Sequence, residues 1–182
     1  MKNYRPSIRH GVYLGLIAVF SHLIVYAVDP EIFLSKAYGT ISTVILVLAA
    51  PIVLMVLGAR DCKHFFSSYS FRKAFSAAFI VGLVAALISL LYTLLFVTVI
   101  DPEMTDWLYD EKMAQEMEKL TDAGYSDEMI ERSMEMASGF KKYTTGVLGS
   151  TIMHGFFLLW YALLALIIGA IQKDKKQEDL IA

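Results

Sequence analysis

The stretch AFSAAFIVGLVAALISLLYTLLFVTVI, residues 74–100, runs for 27 residues without one Asp, Glu, Lys or Arg. The hydrocarbon core of a bilayer takes about 20 mostly apolar residues per helix, so this run is long enough to cross it. Lipid offers the backbone no hydrogen-bond partner, which makes a crossing run of this length a helix; the strands of a barrel would be shorter and would alternate. Residues 11–28, 41–59 and 147–171 share its character, with 18, 19 and 25 residues and no formal charge. The chain of 182 residues is 57% hydrophobic and 19% charged, with a mean hydropathy of +0.55, against about 45–50% apolar content in soluble domains. The expected fold is an all-α integral membrane protein: one membrane domain over 1–182, four transmembrane helices, and an extracytoplasmic helical hairpin between the third and the fourth.

The first run follows Lys2, Arg5 and Arg9 and reaches Val25, Tyr26 and Ala27, as a secretory signal would. The apolar core of a signal has about 7–15 residues, and this one is longer, so an uncleaved anchor is expected. The single cysteine, Cys62, excludes an intramolecular disulfide framework and any multi-cysteine metal site.

Charge orients the spans. Lys2, Arg5 and Arg9 precede the first run, Arg60, Lys63, Arg72 and Lys73 lie in the connector 60–73, and Lys173, Lys175 and Lys176 follow the last run. Residues 101–146 carry 12 acidic and 5 basic side chains, net −7, with Lys141 and Lys142 against the trend. The positive-inside rule then puts both termini and the basic connector in the cytoplasm and the acidic segment 101–146 outside.

Both outward loops begin Asp-Pro-Glu, at 29–31 and 101–103. An Asp side chain accepts orphan amide hydrogens, Pro suits the first helical position and Glu favours the positive end of the dipole, so each tripeptide starts a new helix. Shared capping chemistry explains the recurrence more simply than an internal repeat. Within the acidic segment, Tyr109, Met113, Met117 and Leu120 draw one apolar stripe, and Ile130, Met134 and Ala137 draw another. Gly124 ends the first helix and Ser126 caps the second. Six of the nine methionines lie here. Thioethers select copper(I), but without a recurring Met-x-x-Met cluster, adaptable packing is the preferred reading.

Small residues four apart let helix backbones approach closely: Gly11 with Gly15, Ala78 with Gly82 and Ala86, and Ala165 with Gly169. The same spacing serves packing within one chain or between two copies. Pro51 removes an intrahelical bond from the second span and is a candidate hinge. His22 and His154 form a candidate intramembrane polar site, since each lies six or seven residues inside the outer boundary, roughly 9–11 Å deep. Ser21, Ser150 and Thr151 are the nearby hydroxyls. Neutral imidazoles that lock helix packing are favoured over a proton relay or ion site, because two histidines make a poor zinc site.

Phe71, Ala74 and Phe75 at the start of the third run, with Asp101 and Pro102 at its end, resemble the bacterial membrane family catalogued as domain of unknown function 4199. The resemblance covers nearly the whole chain, implies a four-span inner-membrane protein and carries no activity. Metalloprotease, nucleophile-elbow and phosphate-loop motifs are missing, so no catalytic, cofactor or metal residues are expected and the chain is read as not an enzyme. Its basic residues serve orientation, which argues against nucleic acid. The expected partners are the lipid bilayer and either a second copy or an envelope protein. Two functions compete: a non-catalytic anchor with an envelope-facing interaction or sensing segment, and a small oligomeric transporter or ion-coupled subunit using His22 and His154.

Overall fold

A computed structural model describes residues 2–174. Met1 and residues 175–182, with the tail lysines Lys175 and Lys176, lie outside the described residues. There are six helices longer than one turn or two: α1 (Arg5–Val28), α2 (Lys36–Lys63), α3 (Phe71–Ile100), α4 (Met104–Asp122), α5 (Asp127–Thr144) and α6 (Gly146–Gln172). The described residues contain no strand. Helices α1, α2, α3 and α6 are each long and apolar enough to cross a membrane, so the chain is a multi-pass membrane protein.

The helices outrun the apolar runs. α2 begins at Lys36, not at residue 41, and ends at Lys63, not at residue 59; α1 begins at Arg5. Hydropathy marks the part of a helix that meets hydrocarbon, whereas backbone bonding continues into the interface, where Lys and Arg extend their charged ends toward water. The basic connector therefore shortens from 60–73 to 64–70, and the segment between the first two spanning helices is residues 29–35.

The chain divides into two compact units. One takes in the described residues up to Ser21, Ser42–Ser89, and those from Phe157 onward. Its core is a stripe of small side chains on α3, Ala74, Ala77, Ala78, Val81 and Ala85, met by Leu14, by Met55 and Ala59, and by Leu164, Ala165 and Ile168. A Cβ on Gly11 would come within 2.7 Å of the Val81 carbonyl oxygen, one on Gly15 within 2.9 Å of Ile88, and one on Gly82 within 2.5 Å of Tyr161. A Cβ on Gly169 would meet the Phe75 backbone at 3.0 Å. Ala86 is buried at the end of the same stripe. Large apolar side chains point outward instead: Leu163 is 56% exposed and Ile171 74%. Lipid tails are as apolar as these side chains, so outward leucine costs nothing, and small residues inside gain dispersion contacts.

Pro51 is fully buried at the end of a π-helical stretch, Thr43–Ala49. Without an N–H, Pro51 releases the carbonyl of Val47, four residues back. The indole of Trp160 on α6 donates its Nε1–H to that carbonyl at 2.9 Å. Hydrocarbon has no water to take this role, so the break in α2 is held by a side chain from a neighbouring helix.

The connector is fastened as well. Tyr69, 1% exposed, donates its hydroxyl to the Ala59 carbonyl at 2.6 Å. Its amide donates to Asp174 Oδ2 at 2.6 Å, the Asp174 amide returns a bond to Tyr69 O at 2.8 Å, and Lys63 Nζ reaches Asp174 Oδ1 at 2.8 Å. Lys63 and then the Tyr69 amide hold the Asp174 carboxyl below its ordinary pKa, and burial pushes the Tyr69 phenol well above its own.

Candidate functional site

Residues His22–Ile41 and Leu90–Phe156 make the second unit, which contains both histidines of the candidate intramembrane site. His22, near the end of α1, sits among the rings of Phe33, Tyr92 and Phe96, with centroids 4.9, 5.5 and 4.8 Å away. Its Nδ1 is 2.8 Å from the Tyr92 hydroxyl. One turn further along α1, Tyr26 donates its hydroxyl to Asp101 Oδ2 at 3.0 Å. The other oxygen of Asp101 accepts the Met104 amide at 3.1 Å and so starts α4. Phe96, Val97 and Met104 form the buried centre beneath these groups, with Trp107 and Leu108 packed against it.

A π-helical stretch, Phe96–Ile100, precedes Asp101, and the Asp101 amide bonds Phe96 O at 2.9 Å. The wider turn rotates the end of α3 relative to a straight α-helix; such single-turn bulges recur at functional positions. Sequence reading identified Asp101 as a cap, and the structure gives its carboxylate a second task as the acceptor for Tyr26. Asp29 also caps as expected, accepting the Glu31 amide at 2.9 Å, but it starts only the 3-10 turn Pro30–Leu34.

His154 has a different setting. Its Nδ1 lies 2.8 Å from the carbonyl oxygen of Ser150, one turn back in α6. A carbonyl only accepts, so Nδ1 carries the proton. His22 pairs with the Tyr92 hydroxyl, His154 Nδ1 with a backbone oxygen, and the Thr151 hydroxyl with the Val147 carbonyl at 2.8 Å. Side-chain hydroxyls on a helix find their own preceding carbonyls first, which withdraws them from a neighbour.

α4 and α5 pack on each other as a hairpin. Gly124, at φ +80°, ends the first helix in the left-handed conformation that favours glycine. Ser126 stands at the N-cap of α5 with extended backbone, yet its side chain makes no capping bond, contrary to expectation; its carbonyl accepts the Ile130 amide instead. Tyr109 donates to Ala137 O at 2.6 Å, and Lys141 grips Asp110 at 2.6 and 2.8 Å, which raises the Lys141 pKa above its ordinary value. Ile130 is buried while Met117 of the expected stripe is 46% exposed. A groove of about 670 Å³ opens between Met117 and Thr121 on one helix and Ile130 and Met134 on the other, rimmed by Asp127, Glu131 and Glu135.

A third cluster was not anticipated. His10 is buried on α1, with Nε2 2.9 Å from Asp61 Oδ2, and its Nδ1 makes no hydrogen bond. Beside it Ser7 Oγ lies 3.1 Å from Cys62 Sγ and 3.4 Å from the Gly58 carbonyl. Cys62 is thus a buried packing residue at the end of α2. The available signal was Asp61, the one acid within RDCK, on a stretch that orientation alone would keep basic. Among the described residues, no group of three or more His, Cys, Asp or Glu side chains is arranged to hold a metal ion.

Four of the five residues of the family-like pattern have a structural task. Phe71 stacks on Phe75, Phe75 stacks on Phe79, Ala74 is fully buried and Asp101 caps α4. Comparison with curated proteins finds no match, and comparison with solved structures finds none. A family model described as "Protein of unknown function (DUF4199)" matches residues 9–174, and the chain belongs to that family.

Proposed function

We propose that this is a non-catalytic inner-membrane protein of bacteria whose four spans anchor an envelope-facing hairpin, α4–α5, that binds or senses a partner. Both termini and the connector are cytoplasmic in this reading, and residues 101–146 face out. The charge asymmetry supports that orientation, with net −7 over residues 101–146. The observation that carries the interaction role is the hairpin groove. Its floor is Ile130 and Met134, its rim is acidic, and Met129, Met136 and Phe140 stay 56%, 62% and 64% exposed. Methionine surfaces adapt to varied partners, and an acidic rim suits a basic one.

The test removes the distal hairpin, residues 112–136, and joins its ends with a short Gly-Ser linker, so that Tyr109, Asp110 and Lys141 remain. Membrane insertion should persist while the phenotype of a full gene deletion appears. Normal insertion with no part of that phenotype would sink the reading.

One observation favours a second reading, a small oligomeric transporter or ion-coupled subunit. The His22–Tyr92 bond is a polar contact between two spanning helices, where polar groups are expensive. Proteoliposomes in which proton or divalent-ion flux exceeds that of empty controls, and falls in a His22→Phe variant, would support this reading over the first.

A further inference from the structure

The first unit carries a cavity that neither function uses. It measures about 810 Å³ and lies between the N-terminal end of α1 and the C-terminal end of α2, against Asn3, Arg5, Arg9, Asp61, His64 and Phe65. Its charge is unbalanced. The carboxylate of Asp61 is shared by His10 at 2.9 Å, Arg9 at 3.8 Å and Arg60 at 3.9 Å. Among the described residues, the side chains of Arg5 and His64 make no ion pair or hydrogen bond, and both are exposed into this space. One acid therefore faces several cations.

The apolar wall matters as much as the charge. Phe65, 54% exposed, lines the cavity beyond the end of α2, and Pro6 lines it on α1 between the two arginines. The cavity sits where two membrane-crossing helices end, which is the depth of lipid headgroups. A soluble anion would need only the cations; a lipid also needs an apolar surface for its glycerol and upper acyl segments. Basic pockets between spanning helices are the general form of a phospholipid headgroup site.

We propose that this cavity binds an anionic phospholipid through its phosphodiester, with Arg5 and Arg9 donating to the phosphate oxygens, His64 adding a third donor and Phe65 packing against the glycerol. Arginine suits the task because its planar fork meets two phosphate oxygens at once. Asp61 keeps Arg9 in place and, with His10, is itself satisfied, so it need not repel the lipid.

The test uses the full chain purified in an uncharged detergent, titrated with dihexanoyl phosphatidylglycerol, with dihexanoyl phosphatidylcholine and with inorganic phosphate, and bound lipid read by native mass spectrometry. Saturable binding of phosphatidylglycerol is expected, about tenfold or more tighter than phosphatidylcholine, and weakened about tenfold or more in Arg5→Gln and again in Arg5→Gln/His64→Gln. Arg5→Lys should fall between. These side chains are exposed and unbonded, so the variants fold, which circular dichroism will confirm. Equal binding of the two lipids, or phosphatidylglycerol binding unchanged in the double variant, would overturn the proposal. Inorganic phosphate that bound as tightly as phosphatidylglycerol would overturn the lipid assignment.

Discussion

Trp160 and Pro51 should be energetically coupled, although one lies on α6 and the other on α2. Pro51 leaves the Val47 carbonyl without its intrahelical partner, and Trp160 fills that vacancy at 2.9 Å. Replacing Trp160 by Phe removes the N–H and part of the ring. An unsatisfied acceptor costs about 1–3 kcal/mol, and trimming the ring adds about 1 kcal/mol of lost packing. Trp160→Phe alone should therefore cost about 2–4 kcal/mol. In a Pro51→Ala background, residue 51 has an amide that can reach Val47 O in the ordinary i to i−4 bond, so only the packing loss remains. The double-mutant cycle should therefore show about 1–3 kcal/mol of coupling, the cost of the unsatisfied acceptor. Reversible unfolding in mixed dodecylmaltoside and dodecyl sulfate micelles, followed by far-UV circular dichroism, measures all four proteins without relying on the fluorescence of Trp160. A cost of Trp160→Phe that is the same in both backgrounds would refute the reasoning. It would also restore Pro51 as a hinge free of its neighbour.

Other consequences are simpler to state. Gly11→Val should destabilise by about 1–3 kcal/mol in the same assay, because its Cβ meets the Val81 carbonyl oxygen at 2.7 Å and a backbone atom cannot step aside. Tyr92→Phe removes the hydroxyl bonded to His22 Nδ1 and should cost about 1 kcal/mol; no change would mean that the ring stack alone holds His22. Acid should loosen the connector. The folded-state pKa of Asp174 is lowered, first by Lys63 and then by the Tyr69 amide, so its contribution is present above the ordinary carboxylate range and is lost as pH falls through the lowered value. Asp174→Asn should remove that acid step from a stability profile, and a profile identical to wild type would contradict it.

How much of this could be read from residues depends on what lipid leaves encoded. The four spans are legible because about 20 uncharged apolar residues have few other fates. The small-residue stripe of α3 was legible too, since Ala78, Gly82 and Ala86 repeat at four. The capping tripeptides work as expected at Asp29 and Asp101 because capping is local chemistry. Helix ends were harder: Lys36 and Lys63 are polar, so a hydropathy reading stops short while the backbone continues.

The pairings were out of reach for a different reason. His10 meets Asp61 across 51 residues, His22 meets Tyr92 across 70 and Trp160 meets Val47 across 113. In a soluble helix the apolar stripe fixes which side faces inward. These spanning helices are apolar all round, so their rotation, and with it every such pairing, is set by close packing between small residues. Residue counts place His22 and His154 six or seven residues inside their apolar runs, but they carry no information on the partners of either ring. Pro51 announced a missing bond without saying that an indole would replace it.

The orientation of the chain is the claim on which the proposed role rests, and labelling of single cysteines tests it most directly. In a Cys62→Ser background, Tyr125→Cys at the tip of the hairpin and Ser67→Cys in the connector are each treated with a membrane-impermeant maleimide in intact cells and after permeabilisation. Both positions are exposed, so access depends on the side of the membrane. Residue 125 should label in intact cells and residue 67 only after permeabilisation. The reverse pattern would put the acidic hairpin in the cytoplasm and contradict the envelope-facing role.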